Sequence, residues 1–292
     1  MPDFAFLAQA IVSGISTGCI YGLIGIGFCV IYNASGIVNF AQGAFVMLGG
    51  MVTYTLFTAW GLPLLLAAIL TIIVVALAGV VLERVVVRPL WNRNATIFVM
   101  ILATLAAQIV VERATLIAVG DQPKTLPVFT DLPPIRLGSI AIGYQIIWII
   151  GASLAIIAGL GLFFRSTKVG KAMRACAINR EAAMLLGIPV SRMLALSFAL
   201  SAALGAIAGI LITPTQYTAF NVGVPFAISG FIAAIVGGFG KPFGAFLGGI
   251  MLGLAQAIAV VFLDAGLKNV AALTVLLLFL FIRPGGLLGA VK

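Results

Sequence analysis

Histidine does not occur in this 292-residue chain, so the side chain most used as general base and metal ligand near neutral pH is not at its disposal. Charge is nearly as scarce. Only 8% of residues are Asp, Glu, Lys or Arg, against about 25% in soluble domains. Cysteine is confined to Cys19, Cys29 and Cys176. Two of these fall in one apolar segment and the third among basic residues, which implies no disulfide framework. What fills the space is apolar: 63% of residues are hydrophobic and the mean hydropathy is +1.28. Such a chain is not a soluble globular domain, a disordered segment or a nucleic-acid binder, and most of it must sit in lipid. Sixteen Lys and Arg against 7 acids give a net charge of +9. In a membrane chain that excess marks cytoplasmic loops rather than a polyanionic partner. Met1-Pro2-Asp3 lacks the basic region of a signal peptide, so the first apolar segment is expected to be retained.

About 20 apolar residues cross the hydrocarbon at 1.5 Å per residue. Leu62 to Leu82 is the cleanest such run, with Thr71 its only polar side chain. Further spans are expected near 8–31, 39–59, 96–118, 141–163 and 193–212. Phe226–Gly240 and Val270–Ile282 are short for spans, and Phe243–Leu263 is long enough. Twelve basic residues then fall on one side: Arg84, Arg88, Arg93, Arg165, Lys168, Lys171, Arg174, Arg180, Arg192, Lys241, Arg283 and Lys292. Only Lys124, Arg136 and Lys268 fall on the other, with Asp3, Asp121, Asp131 and Asp264. The bias places the first set in the cytoplasm. The expected fold is all-α: a polytopic transmembrane helix bundle of about nine spans (eight if 226–263 is one broken span), N-terminus out and C-terminus cytoplasmic. Residues 1–292 form a single transmembrane domain with an outer loop at 119–140 and a cytoplasmic loop at 164–192. Four prolines, Pro123, Pro127, Pro133 and Pro134, make the outer loop irregular.

Glycines recur every four residues at Gly14, Gly18 and Gly22, again at Gly240, Gly244 and Gly248, and at Gly205 and Gly209. That spacing puts them on one helical face where backbones approach closely. They are read as packing faces, and with Gly237 and Gly238 as smooth surfaces across which helices slide during gating. Gly43-Ala44-Phe45 and Gly244-Ala245-Phe246 echo one another, each followed closely by Leu-Gly-Gly. Polar groups at membrane depth are Gln42, Gln108, Glu112, Arg113, Gln145 and Gln256. Glu112 and Arg113 lie near the outer interface and are expected to pair or snorkel. No lone mid-bilayer acid is left to carry protons.

The cytoplasmic stretch 170–189 is rich in Ala, Met, Leu, Arg and Glu, all good helix formers. Gly187 suits a C-terminal cap and Pro189 forbids continuation, while Ser191 is positioned to cap the next span. Met173, Ala177 and Met184 are expected on one side of this helix. It is suited to dock on a soluble partner or to lie on anionic lipid.

Glu181-Ala182-Ala183-x-x-x-Gly187 resembles the EAA motif of ABC-importer permeases, the coupling helix that sits in a cleft of the ATP-hydrolysing subunit. Ser197-Phe198-Ala199-Leu200 departs from the longer consensus of maltose-type permeases. The chain is similar instead to the branched-chain amino acid permeases of the LivH type and their relatives for urea, amides and aromatic acids. Three more stretches carry that resemblance in order: Gly36-Ile37-Val38-Asn39-Phe40-Ala41-Gln42-Gly43 with Met47-Leu48-Gly49; Gly237-Gly238-Phe239-Gly240 with Gly244-Ala245 and Gly248-Gly249; and Arg283-Pro284-x-Gly286-Leu287-x-Gly289. The resemblance implies two ATPase subunits, a second homologous permease, a periplasmic substrate-binding protein and the bacterial inner membrane. Gly170, Arg174, Arg180, Glu181, Ala182, Ala183 and Gly187 would then form the ATPase-coupling element. Leucine, isoleucine and valine lead as substrates. ATP and Mg would bind the partners, since Gly170-Lys171-Ala172 and Gly240-Lys241-Pro242 lack the phosphate-loop spacing and the Ser or Thr after Lys. No catalytic or metal constellation is evident in the sequence. Asn39 and Gln42 either line a substrate pathway or satisfy exposed backbone where their helix begins. The rival readings are a secondary transporter built around a break at Gly237–Pro242 and a structural membrane protein.

Overall fold

The computed structural model describes residues 4–138, 140–262, 265–283 and 285–288. Asp3, Leu263, Asp264, Pro284, Gly289 and Lys292, which enter the sequence reading, lie outside them. Apolar runs become helices as expected: α1 (Phe4–Ser35), α2 (Gln42–Thr58), α3 (Leu64–Leu82), α4 (Arg88–Asn92), α5 (Ile97–Val119), α6 (Tyr144–Ser166), α7 (Lys168–Ile178), α8 (Arg180–Leu185), α9 (Val190–Ile212), α10 (Gly223–Gly237), α11 (Pro242–Phe262) and α12 (Lys268–Ile282). Among the described residues, six stretches are long and apolar enough to cross a membrane: 5–35, 64–92, 97–119, 144–166, 190–212 and 242–262.

Several expectations need correction. The fold is not wholly helical. The 119–140 loop runs into a hairpin of β1 (Ile135–Leu137) and β2 (Ile140–Ile142), antiparallel, with Arg136 opposite Ala141. Gln9 of α1 clamps it, accepting from the Ala141 N–H at 3.1 Å and donating to its carbonyl at 3.0 Å. The chain past Leu82 does not open into a loop. It stays helical to Asn92 through one π turn at Glu83–Val87. Helices α2 and α10 have only 17 and 15 residues, about 26 and 22 Å long at the α-helical rise, so neither spans the bilayer alone.

Helix α1 is the axis of the bundle. Its membrane stretch is 89% buried, against 17% for α5 and for α6, and Ile20, Leu23, Ile24, Ile26 and Phe28 are wholly enclosed. In lipid no hydrophobic drive separates helix from tail, so close backbone approach must hold helices together. Glycine supplies it. A methyl at Gly18 would stand 2.7 Å from Ile250 Cα, and one at Gly22 would meet Phe246. The opposing face on α11 is Gly249 and Gly253, a pair the four-residue reading did not include. Gly244 and Gly248 face the other way, onto α10 at Gly237 and Ala233. Gly240 is not on that face at all. It precedes α11, in a turn, with φ +86°. Gly205 and Gly209 seat α9 on Phe45 and Val46 of α2.

These contacts predict that Gly18→Ala lowers the thermal unfolding midpoint in detergent, with an overpacking cost of about 1–3 kcal/mol. Gly151→Ala on α6, where a methyl meets open space, should raise it slightly, by about 0.5–1 kcal/mol. Equal midpoints for the two variants would contradict the packing described.

Candidate functional site

The break before α2 is built at mid-depth. Gln42 donates to the Ser201 carbonyl at 3.2 Å and accepts from the Ser201 hydroxyl at 2.6 Å. Ala44 N–H donates to Gln108 Oε1 at 2.6 Å. Ser201 and Gln108 are each the twelfth residue of a 23-residue helix, α9 and α5. Helix α2 therefore starts level with the midpoints of two full spans, after residues 36–41 have climbed back from the end of α1. A helix start leaves N–H groups without intrahelical partners, and hydrocarbon offers no water to take them. Asn39 accepts from Ala41 N–H at 3.1 Å through its side chain. Thr104, one turn before Gln108 on α5, accepts from Phe40 N–H at 3.2 Å. Asn39 and Gln42 are both buried; the Asn39 side chain meets backbone at the helix start, whereas that of Gln42 meets Ser201 of α9. Asn39 Nδ2 and Gln108 Nε2 remain buried without a partner.

Helix α10 begins beside this point. A methyl on Gly223 would stand 2.7 Å from the Gly43 carbonyl and 2.9 Å from Gln108 Nε2. Residues 213–222 descend to it from the outer end of α9, held by Thr218, which exchanges two 2.7 Å backbone bonds with Lys124 of the outer loop. At the far end, Gly238 and Gly240 turn the chain into α11 with positive φ. Leu287 N–H closes the Val236 carbonyl at 2.8 Å. The two Gly-Ala-Phe echoes thus flank α10, Gly43 against its start and Gly244 against its end.

The 164–192 loop folds as two helices rather than one. Thr167 caps α7 by accepting from Gly170 N–H at 2.9 Å, and Asn179 caps α8 by accepting from Ala182 N–H at 3.0 Å. Gly187, at φ +78°, ends α8: its N–H donates to Met184 O at 2.9 Å and Ile188 N–H to Ala183 O at 3.0 Å. That six-to-one and five-to-two pattern is a Schellman cap. The break at Asn179 splits the expected Met173–Ala177–Met184 face, leaving Met173 buried and Met184 half exposed. Ser191 does not cap α9, whose start at Pro189 has no side-chain cap. Arg174, Glu181, Ala182 and Gly187 face outward, Gly170 and Ala183 inward. Ile178, Leu185 and Leu186 are 85%, 89% and 79% exposed, forming an apolar tip that the sequence reading had not singled out. Arg180 turns inward. Its guanidinium stacks 4.4 Å above the Trp91 ring and lies beside Gly36, and its burial lowers its pKa from the ordinary value.

One ion pair escaped the sequence reading. Glu83, fully buried, accepts from Arg88 Nε at 3.0 Å and Nη2 at 2.9 Å, and Arg88 Nη2 also reaches the Ser191 carbonyl at 3.3 Å. Residues five apart lie about 140° apart around an α-helix. The π turn at Glu83–Val87 brings them to one side, a widening often found at functional sites. The expected pairing of Glu112 with Arg113 is not the contact Arg113 makes, since its guanidinium lies 5.9 Å from the Phe220 ring.

Six apolar spans around broken half-helices define a multi-pass membrane protein. The family described as branched-chain amino acid transport system, permease component, matches residues 10–282, and the chain belongs to it. It is 34% identical to the high-affinity branched-chain amino acid transport system permease protein BraD of Pseudomonas aeruginosa, covering 99% of this chain and 98% of that one. It is 32% identical to LivH of Escherichia coli K12 over 98% and 97%. A probable LivH of Methanocaldococcus jannaschii is 28% identical over 91% and 88%. Among solved structures, PsaBC from Streptococcus pneumoniae in complex with Fab contains a chain with the same fold at 14% identity, TM-score 0.54, covering 97% of this chain and 94% of that one.

Arg88→Met is predicted to leave a buried carboxylate alone and cost about 3 kcal/mol, while the double change Glu83→Leu, Arg88→Met recovers most of it. Thermal midpoints in detergent check this. A double variant no better than the single would refute it.

Proposed function

We propose that the chain is the membrane-spanning permease subunit of an ATP-driven importer, passing leucine, isoleucine or valine from a periplasmic binding protein across the bacterial inner membrane. The observation that carries this reading is the likeness to permeases of branched-chain amino acid transport over essentially the whole chain. The partners are two ATPase subunits, which hold the ATP and Mg, and a second homologous permease.

The topology that fits is nine crossings with the N-terminus outside and the C-terminus cytoplasmic. Each re-entrant loop with its half-helix, 36–58 and 213–237, counts as one crossing. Contacts between basic segments support it. Arg88 meets Ser191, Arg180 meets Trp91, and Arg174 and Lys241 border one cavity. Lys124 joins Thr218, and Lys268 lies near Thr215 and Tyr217, at the opposite end.

The coupling element is α7–α8 with its cap. Its apolar tip at Leu185 and Leu186, flanked by Arg174 and Glu181, docks on the ATPase. Arg180 carries the motion inward through Trp91, and Gly187-Ile188-Pro189 carries it into α9. Asn39 and Gln42 belong to the pathway through the break they build, with Asn39 Nδ2 a donor still free there. The glycine faces let α11 shift against α1 and α10 with few side chains catching.

Glu181→Lys and Gly187→Val are expected to insert and assemble yet transport little, with ATP hydrolysis no longer stimulated by loaded binding protein. The valine adds about 1–3 kcal/mol of strain at a left-handed position, confined to the loop. Normal stimulation in both would remove the coupling role. An intact-complex mass showing this chain alone or as a simple homo-oligomer, transporting without ATP, would overturn the importer reading.

A further inference from the structure

A second polar site lies outside the break, in the outer half of the bundle. It is a cleft of about 420 Å³, within the 300–1,000 Å³ typical of small-molecule sites. Tyr21 of α1, Ser229 and Phe226 of α10, Val222 before α10, and Lys268 and Asn269 of α12 border it. Three features distinguish it from a packing defect. The first turn of α10 opens on it through Val222 and Pro225, and that helix start has no side-chain cap. A helix start carries partial positive charge, and here it acts through that charge alone, since Val222 N–H donates to the Ala219 carbonyl and Pro225 has no N–H. Lys268 adds a full positive charge, with no ion pair among the described residues. Behind it, the Tyr21 hydroxyl donates to Gln256 Oε1 at 2.9 Å. Gln256 Nε2 stays buried and unpartnered where Lys268 and Gln256 border a neighbouring cleft of about 250 Å³.

The wall is thus divided. One side offers a cation and a helix start, the other the ring of Phe226 and the side chain of Val222. Among the described residues bordering the cleft there is a cation, Lys268, and no acid. Its match is a carboxylate joined to a short apolar group. The described acceptors at hand are neutral: hydroxyls, amide oxygens and backbone carbonyls. They suit an ammonium held loosely, as a transient station requires.

We propose that this cleft is a substrate station for a zwitterionic amino acid with an aliphatic side chain. The carboxylate lies toward Lys268, Asn269 and the start of α10, and the side chain lies on Phe226 and Val222. This rests on the reading of the chain as an amino-acid permease and adds the residues that hold the substrate. It also assigns α10 a role: shifting that short helix moves its start away from the carboxylate and releases it toward the cytoplasm.

The test is leucine uptake into proteoliposomes by the complete complex, with saturating leucine-loaded binding protein so that capture is not limiting. Lys268→Gln should lower the uptake rate about tenfold, the equivalent of one charge-assisted hydrogen bond, and Lys268→Arg should restore most of it. Val222→Phe, which fills the apolar side, should slow leucine more than alanine. Basal ATP hydrolysis and intact-complex mass serve as controls. If Lys268→Gln fails to assemble, Val222→Phe decides alone. Wild-type complex that moves no leucine, isoleucine or valine overturns the amino-acid reading and the station with it. Wild-type uptake matched by Lys268→Gln and Val222→Phe overturns the station alone.

Discussion

A helix that starts inside hydrocarbon exposes N–H groups that water cannot reach, and this fold depends on how that demand is met for α2. The supply comes from other chain segments. Asn39 serves from within the loop, Thr104 and Gln108 from α5, and Ser201 from α9 fixes Gln42. Because Thr104 and Gln108 are one helical turn apart, they present two acceptors in line to one rising backbone. Largely lipid-exposed, α5 is thus tied to the buried core by polar bonds rather than by apolar packing. Those bonds set its rotation. They also fix the level at which α2 begins, and through the Gly43–Gly223 approach they fix where α10 begins.

The glycines act on the same constraint from the other direction. With the backbone polar groups enclosed, what remains is to bring helices close enough for dispersion to hold them. Ile24 of α1 fills the notch at Gly230 of α10, while Gly14, Gly18 and Gly22 on α1 against Gly249 and Gly253, and Gly237 of α10 against Gly244 and Gly248, bring α11 backbone to backbone with both neighbours. Such an assembly is tight but carries few interlocking knobs. The broken segments sit where the chain has the least side-chain friction.

Much of this was legible in the sequence. Apolar runs of 20 residues announce spans, Gly187 before Pro189 announces a sharp helix stop, and four-residue glycine spacing announces close packing. What was not legible depended on neighbours distant in sequence. Gln42 looks like any polar residue near a span end, and only its pairing with Ser201 shows that α2 starts at mid-depth. Gly240 keeps the four-residue rhythm and yet lies in a turn, because Pro242 starts the helix two residues later. Glu83 and Arg88, five apart, look unrelated on an α-helical wheel, and become partners only in the wider π turn. Asn179 is a moderate helix former in isolation but a strong N-cap, so a helix expected to run through it is divided there.

That division matters for how motion travels. A single rigid helix from Lys168 to Leu185 would turn as one lever about its attachment at Thr167. Two helices hinged at Asn179 separate the part that packs inward from the part that points out. Helix α7 keeps Met173 and Cys176 in the core, while α8 exposes Leu185 and Leu186. Displacement of α8 then reaches the bundle by two routes with different ends. Arg180 on Trp91, beside Gly36, leads to the loop that carries α2 back to mid-depth. Pro189 and Ser191 lead to α9, and through Arg88 and Glu83 to the base of α3. Both routes converge on Gln42 and Ser201, one through α2 and the other through α9. In the coupling role proposed above, a push on α8 would be felt as a relative shift of the two helices that the central polar bond joins.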